Sequence, residues 1–547
     1  MSSQLLTSAV AQLEVVPLKN RKGRIRRVRV IGAGSVAAAL ALSIVPAALS
    51  SNAGAAVGAH AATGTLTIGE AGAPQSLDPS ADDSGDGLYA AELLYEPLMN
   101  MTDTGKIIPG LATSWHYVGS GNKEFVMNIR QGAKFSDGEP VNAAAVVAGL
   151  EYNAKGTGPA GANFSGDSFR TNGDYQVIVT TTNANPEFPT TFSQRQLSGD
   201  IICPNALKNP STIASNPCGA GPYVLDSAAT TLGSTYTFTA NPLYYNQKRI
   251  LHSQIVLKVI SDPTSALAAI RTGQIQVLGT NETNIQQLAP AKAAGLNVTI
   301  LGPTSFLTVW IMDRNGKTVK ALGDVRVRQA LNYALNRPLI AKAAYGVLGA
   351  VDDEPATPGW NGWDPKSANY YTYNVAKAKA LLKAAGYSNG FSFKILYITS
   401  FTAPDNGLFA MAQEWKAIGV NAQLVGESGF PPFSAAQTTL KYAGFELGWG
   451  SGDAIPTYNL VWFAKTGANA FYSSSKAAYK LFNAALGATP AQFPAKMRAV
   501  TAYGVANAYQ VVPAEQKAFI ISAKGITGLA KAGSAQPAGM NVVNIAG

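Results

Sequence analysis

The chain has 547 residues and a formal net charge of +10, from 42 Lys and Arg against 32 Asp and Glu. Seven of the basic residues and one acid lie in residues 1–61, so the remainder carries 35 basic and 31 acidic residues and is close to neutral. The positive charge therefore gives no support for nucleic-acid binding. Three scattered histidines and two cysteines disfavour a zinc site or a histidine-based triad. We expect no catalytic residue, no metal and no cofactor.

The first 61 residues have the order of a secretory signal. A basic block at residues 19–29 precedes an apolar run over residues 30–49 and the tripeptide AHA that ends at Ala61, which matches an A-x-A cleavage site. We therefore expect export and cleavage after Ala61. The alternative is an uncleaved anchor, because about twenty apolar residues are just enough to span a bilayer. No cysteine lies near Ala61, which argues against a lipobox lipoprotein and favours a periplasmic or other cell-envelope location.

Between residues 65 and 302 the sequence predicts mainly strands with short helices. Alternating apolar residues predict strands at TLTIGE, FVMNIR, YQVIVTT, TYTFTA and IVLKVI. The segment LYAAELLYEPL places its apolar residues on one helical face, and DPTSALAAIRTGQIQVLG is typical of a helix, a glycine stop and a strand. This part of the chain therefore has mixed α/β character.

The two cysteines, Cys203 and Cys218, lie in one polar segment rich in proline and asparagine. Because the chain is predicted to be exported, we expect a disulfide between them. Closing a loop of this size stabilises a fold by about 3 kcal/mol in the chain-entropy description.

From about residue 305 the predicted strands and helices alternate more regularly. FLTVWIMD predicts a strand, and DVRVRQALNYALNR after it predicts a helix capped by Asp324. Its arginines lie at the ends and off the apolar stripe, so we expect a half-buried helix with a solvated basic edge. A second helix is predicted at residues 372–386, with Asn374 as its cap and Gly386 as its stop. The alternation with the strands FSFKILYI and VNAQLVG indicates a βαβ-type unit.

Two short motifs have structural explanations beside functional ones. Residues 156–161 read GTGPAG, a literal GxGxxG, but they follow a helical pattern and contain a proline, so we interpret them as a loop and not as a dinucleotide site. Residues 448–453 read GWGSGD, which combines a flat aromatic ring, glycines whose backbone carries no side chain, and one carboxylate. Glycines allow a ligand to approach the main chain closely. The residues alone leave two interpretations open, a ligand-binding loop or a tight turn after a buried strand.

Several stretches, taken in order, resemble one family. They are SLDPS, LYAAELLYEPL, GKIIPGLATSW, FVMNIRQGAKFSDGEPVNAAAVV, GAGPYVL, NPLYYN, AAIRTGQIQVLG, DVRVRQALNYALNR, AKALLKAAGY, EWKAIGV and GWGSGD. Each is weak alone, but their common order resembles the large extracytoplasmic solute-binding proteins of the oligopeptide/dipeptide/nickel family, which serve ABC importers. The likeness covers nearly all of residues 64–530.

The resemblance implies an α/β, two-lobed periplasmic-binding-protein-like fold of the large type II (cluster C) kind, with a hinge and an interlobe cleft. The implied division is a signal peptide at 1–61, lobe I at 62–303, lobe II at 304–508 and a return of residues 509–547 to lobe I. In this fold the VRQAL-type helix is a structural element of the second lobe.

The resemblance also implies a function, which is the capture of oligopeptides or dipeptides by closure of the two lobes for an ABC importer. We expect a monomer whose partners are its ligand and the permease subunits in the membrane. Within the same fold, the alternatives are an oligosaccharide, a metal chelate or an opine-like solute. A secreted hydrolase is disfavoured because no nucleophile–base pair is apparent.

Motif position predicts the ligand contacts. They are Asp82, Asp83, Ser84, Trp449, Gly450, Ser451, Gly452, Asp453 and Tyr458. Peptide binders of this family carry an aspartate shortly after the Gly-Trp pair that holds the ligand's α-ammonium. Without a gap that position here is Gly452, and Asp453 follows one residue late, so the resemblance implies either a shifted anchor or a ligand without a free amine.

Overall fold

The structure is a computed structural model that describes residues 64–82, 87–102, 104–164, 166–279, 282–399, 402–450, 454–532 and 541–547. Its strands are β1 (Thr65–Glu70), β2 (Met99–Met101), β3 (Ile107–Pro109), β4 (Ala112–Val118), β5 (Glu124–Ile129), β6 (Ser168–Thr171), β7 (Gln176–Thr180), β8 (Tyr223–Leu225), β9 (Thr235–Ala240), β10 (Gln254–Val259), β11 (Val277–Gly279), β12 (Asn297–Ile311), β13 (Gly349–Ala350), β14 (Phe391–Ile398), β15 (Val420–Glu427), β16 (Gly444–Glu446), β17 (Trp449–Gly450) and β18 (Gln510–Ser522). Its helices are α1 (Leu88–Leu94), α2 (Ala143–Asn153), α3 (Pro159–Ala162), α4 (Phe188–Thr191), α5 (Pro204–Leu207), α6 (Pro263–Arg271), α7 (Leu288–Ala293), α8 (Val325–Tyr333), α9 (Arg337–Tyr345), α10 (Val375–Ala384), α11 (Thr402–Lys416), α12 (Phe430–Gln437), α13 (Ala454–Tyr458), α14 (Lys476–Leu486) and α15 (Phe493–Ala506).

One mixed sheet of twelve strands runs through the protein. Its main path is β15-β14-β16-β12-β18-β11-β1-β10-β9-β8, and β13 and β17 pair at the side with β18 and β12. A separate four-stranded antiparallel sheet has the order β4-β5-β7-β6. The predicted strands TLTIGE and IVLKVI pair in parallel as β1 and β10, which confirms their assignment.

The apolar cores divide the molecule into two lobes. Three clusters are built from residues 66–301 together with residues 519–545, and these belong to lobe I. Leu348, from the lobe II part of the chain, joins one of them. Two further clusters are built from residues 306–512 with Ala514, and these belong to lobe II. The two-lobed α/β fold expected from the sequence is therefore confirmed, whereas the exact lobe boundaries remain a prediction.

Two long antiparallel strands, β12 and β18, pass from one lobe into the other. Residues 519–522 of β18 pair with the start of β12 and with β11 in lobe I. Residues 510–516 of β18 pair with the second half of β12. The register shifts on both sides of Pro303, and such irregularities interrupt the ladder and bend a strand. This crossing point has the geometry expected of a hinge.

The predicted helix DVRVRQALNYALNR is confirmed in part. The carboxylate of Asp324 accepts a hydrogen bond from the backbone N–H of Arg326 and caps α8. A second helix, α9, already begins at Arg337. The predicted solvated basic edge is wrong for two arginines, because Arg328 and Arg337 are 5% and 3% exposed. Arg328 donates to the carbonyl oxygens of Leu322 and Asn507, so it satisfies backbone groups inside lobe II and does not face solvent.

The glycine motif at residues 156–161 serves packing. Residues 156–158 form a loop as predicted, but the short helix α3 already begins at Pro159, so the interpretation of the whole motif as a loop is correct only for its first half. A Cβ added to Gly156 would lie 2.2 Å from the carbonyl oxygen of Ser80, and one added to Gly158 would lie 2.5 Å from that of Asp82. The glycines therefore allow this loop to approach the backbone after β1 closely, which explains their spacing without a nucleotide.

The disulfide between Cys203 and Cys218 is present as predicted. The predicted signal, residues 1–61, lies outside the described residues. Within the described ranges, no helix is both long enough and apolar enough to cross a membrane.

Candidate functional site

The GWGSGD segment begins at the hinge. Trp449 pairs with Phe306, and Gly450 pairs with Ser305, so β17 extends the lobe II sheet beside the crossing strand β12. Ser451, Gly452 and Asp453 lie outside the described residues, as do Asp83 and Ser84. Their ligand contacts therefore remain predictions.

Two other predicted contact residues are buried. Asp82 is 2% exposed and its carboxylate accepts from the backbone N–H of Ser76 at 3.4 Å. Tyr458 is 1% exposed, its hydroxyl lies 2.7 Å from the hydroxyl of Thr501, and its ring stacks on that of Trp462 at 4.4 Å. Burial raises the pKa of Tyr458 well above its usual range. Both side chains are thus held by protein contacts, and their roles in ligand binding remain predictions.

A cavity of about 330 Å³ lies between the lobes. One wall comes from residues 162–191 of lobe I, and the other from α13, the turn after it and α14 of lobe II. The lobe II wall starts at Ile455 and Pro456, two and three positions after Asp453 in the sequence. A ligand in this cavity would therefore contact both lobes.

The cavity wall combines amides, carboxylates and apolar groups. Its amides are Asn163, Asn183, Asn185 and Asn459, its carboxylates are Asp167 and Glu187, and its larger apolar side chains are Ile455, Phe482 and Leu486. Among the described residues that line it there is no Lys, Arg or His. Burial raises the pKa of Asp167, although the backbone N–H of Thr182 donates to it at 3.0 Å. This wall suits a small solute that donates hydrogen bonds.

Side chains also join the two lobes directly around the cavity. Asn122, at the tip of the β4–β5 hairpin, donates to the carbonyl oxygens of Leu486 and Ala488 at 2.9 and 2.6 Å, where α14 ends. Leu486 is the last residue of α14, where carbonyl groups lack a partner within the helix, and Ala488 follows two positions later, so the lobe I hairpin satisfies the end of a lobe II helix. The structure therefore has the two lobes in contact.

Two further contacts join lobe I to the loop between β13 and α10. This loop packs on lobe II. Asn361 donates to the carboxylate of Glu187 at 2.6 Å. The guanidinium of Arg195 lies 3.3 Å from the ring centroid of Trp360, a favourable cation–π geometry. Glu187 thus faces the cavity and also belongs to the contact between the lobes.

Buried carboxyl groups gather at the hinge. Glu515 of β18 pairs with Phe306 and with Ala350 of β13, and its carboxyl is hydrogen-bonded to that of Asp352. Burial raises the pKa of both groups, and it raises the pKa of Glu354 to about 10. The neighbouring charges of Asp352 and Glu354 raise the pKa of Glu515 further, and the positive charge of Lys517 opposes them. At neutral pH this cluster therefore retains protons that the unfolded chain would release.

This proton retention predicts how stability depends on pH. A carboxyl with a raised pKa favours folding while it is protonated, so its stabilising effect is present near pH 4 and is lost as the pH rises towards the folded-state pKa. We expect the melting temperature to fall by a few degrees between pH 5.5 and pH 8.5. The Glu515→Gln variant should show a shallower fall in thermal denaturation, whereas the exposed control Glu151→Gln should follow the wild type. If the melting temperature of Glu515→Gln fell with rising pH as steeply as that of the wild type, the raised pKa assigned to Glu515 would be wrong.

One group of possible metal ligands occurs among the described residues. It consists of Asp137, Cys203 and Cys218. Both sulfurs are joined in the disulfide, which removes the thiolates that would bind a metal.

Residues 106–471 match the family described as bacterial extracellular solute-binding proteins, family 5. The chain belongs to this family. It is 28% identical over 373 residues to the nickel-binding periplasmic protein of Escherichia coli (strain K12), covering 62% of this chain and 67% of the relative. It is 26% identical over 397 residues to the dipeptide-binding protein of the same strain, covering 66% and 71%.

The structure of HbpA2 from Haemophilus parasuis superposes with a TM-score of 0.75 at 22% identity, over 88% of this chain and 99% of that one. This likeness establishes the two-lobed fold. The family 5 chain is thus an extracellular solute-binding protein, as its motif order predicts. The family consists of the binding components of importers and not of enzymes.

Sequence reasoning missed most of the cavity wall. It placed the lobe II contacts at residues 449–453 and Tyr458, whereas Ile455 and Pro456 of α13 line the cavity, and it missed Asp167 and Glu187 on the lobe I side. Residues 163–187 are rich in Asn and Asp, a composition that turns also favour. The one available signal was therefore ambiguous.

Proposed function

We propose that this family 5 protein binds a small polar solute in the cavity between its lobes and presents the closed form to an ABC permease. The observation that carries the proposal is the cavity wall, which comes from both lobes. A ligand that touches both lobes only when they are closed shifts the equilibrium towards the closed form. The permease then needs to recognise only that form.

The size of the cavity favours a dipeptide or a similarly compact solute over a longer peptide. Its volume of about 330 Å³ is near the lower end of ordinary ligand pockets, about 300–1,000 Å³. The two E. coli relatives are named for nickel and for dipeptides, so both peptide and non-peptide ligands, including chelates, opine-like solutes and oligosaccharides, remain alternatives. We further propose that the protein is exported, cleaved after Ala61, free of a lipid anchor and monomeric.

Asn122 provides a test of closure that leaves the cavity wall unchanged. Asn122 has φ = 52°, a left-handed conformation that glycine also adopts, so Asn122→Gly removes the amide without new strain. Losing hydrogen bonds worth about 0.5–1.5 kcal/mol each should weaken ligand binding about tenfold and increase the open population. Titration calorimetry with the co-purified solute and small-angle scattering would measure both.

The control is Asn172→Ala, since Asn172 contacts Gln176 within lobe I. It should bind like the wild type. If no solute co-purifies in native mass spectrometry and no solute in a thermal-shift panel closes the protein, the proposed function is wrong. If solute binds but Asn122→Gly binds equally well, the interlobe contact does not control closure.

A further inference from the structure

We infer that the interlobe cavity selects a compact organic cation, an ammonium or guanidinium compound, and that Glu187 and Asp167 of lobe I provide its counter-charge. This inference rests on the proposed function, because it names the class of solute for the same cavity. It assigns the selecting charge to lobe I, apart from the predicted anchor Asp453 in lobe II.

The first argument is the sign of the charge in the wall. Two carboxylates line the cavity, and no Lys, Arg or His does so among the described residues. Glu187 is 6% exposed, and closing the cavity over a ligand removes more water from both carboxylates. Burying a charge is costly unless an opposite charge accompanies it. A cation offsets that cost, a neutral solute leaves it in place, and an anion adds repulsion.

The second argument is the hydrogen-bonding character of the wall. Four asparagines, Asn163, Asn183, Asn185 and Asn459, accompany the carboxylates. Ammonium and guanidinium groups carry several N–H donors and no acceptor. Carboxylate and amide oxygens can take up these donors together, and hydrogen bonds to charged groups are stronger than neutral ones.

The third argument is the volume of the cavity and the apolar character of its lobe II wall. Phe482, Ile455 and Leu486 of lobe II supply an apolar surface across from the lobe I carboxylates. A volume of about 330 Å³ leaves room for a short apolar part but not for an extended peptide. The geometry therefore fits a solute with one cationic end and one short apolar end.

The fourth argument is the coupling of charge to closure. Glu187 accepts from Asn361 across the lobes, so the carboxylate that would meet the cation is already held by lobe II. A cation bound to Glu187 adds a second interaction on the same group, which favours the closed form. Charge recognition and closure would then share one residue.

The test compares matched solutes and matched variants of the purified protein. A thermal-shift panel should contain equal numbers of small cations, neutral molecules and anions, including phenethylammonium beside 2-phenylethanol, and a dipeptide beside its N-acetyl form. We expect the strongest stabilisation from cations, and at least tenfold weaker binding of each uncharged partner in calorimetry. Glu187→Gln keeps the acceptor for Asn361 and removes the charge, and it should weaken binding of the best cation at least tenfold.

Asp167→Asn is the second variant, and the exposed Glu151→Gln on α2 is the control that should bind like the wild type. Unchanged cation affinity in both Glu187→Gln and Asp167→Asn would overturn the inference, and so would a panel in which neutral or anionic solutes bind best. In that last case binding and closure persist, so the proposed function survives while the charge selection fails. A panel with no binder of any charge would instead overturn both.

Discussion

Replacing Asp353 with Ala should lower the free energy of unfolding by about 3–5 kcal/mol, because it leaves a buried guanidinium without its counter-ion. Arg337 and Asp353 form an ion pair whose side chains are 4% and 0% exposed. The same arginine donates to the carbonyl oxygens of Asn332 and Tyr371. Asp353 also accepts from the backbone N–H of Tyr371 at 2.8 Å. Removing its carboxylate therefore loosens both α9 and the loop that carries the interlobe contacts.

Urea unfolding followed by tryptophan fluorescence would measure this loss. The control is Glu124→Gln, which breaks the exposed pair of Arg170 and Glu124, whose side chains are 56% and 36% exposed, respectively. Exposed pairs contribute about 0–1 kcal/mol. The double variant Arg337→Met/Asp353→Leu should be less destabilised than Asp353→Ala, since it leaves no unpaired charge. If Asp353→Ala and Glu124→Gln lowered the free energy of unfolding by the same small amount, the buried pair would contribute no more to stability than the exposed one.

Removing the disulfide should cost about 3 kcal/mol of stability, because the bond closes a loop of 15 residues in the unfolded chain. Cys203 is fully buried in a lobe I core, and its backbone N–H donates to the carbonyl oxygen of Cys218 at 3.0 Å. The double variant Cys203→Ser/Cys218→Ser should therefore melt at a lower temperature. Reduction of the wild type by dithiothreitol should produce a similar shift.

The ligand cavity provides the control for this experiment. Neither cysteine lines it, so solute affinity measured well below the melting temperature should stay unchanged. A variant with wild-type stability would show that the disulfide contributes nothing to the folded state. A variant with normal stability but lost binding would instead place the disulfide in the ligand site.

Local features of the structure were predicted well from the sequence. The alternation in TLTIGE and FVMNIR predicted β1 and β5, and the caps Asp324 and Asn374 both accept from backbone N–H groups of the helices that follow them. Each of these features depends on neighbours only a few residues away. The order of the family motifs predicted the two-lobed fold, which no single pattern could have done.

The errors and omissions concern contacts between distant residues. Arg328 was expected at a solvated edge, but residues near position 507 provide its acceptors. The hinge carboxyls Asp352 and Glu515 are 163 positions apart in the chain, and only the pairing of β13 with β18 brings them together. A charge that folding buries is indistinguishable in sequence from one left in water.

The sequence by itself determined the class of the protein, through an ordered series of short motifs, and the positions of several of the longer helices and strands, through local periodicity and capping. Only the tertiary structure decided which polar groups meet across the cleft. Asn122 reaches the end of α14, and Glu187 reaches Asn361, over separations of 364 and 174 residues. Such contacts form because lobe packing satisfies buried donors and acceptors, and no pattern along the chain encodes which lobe will supply the partner.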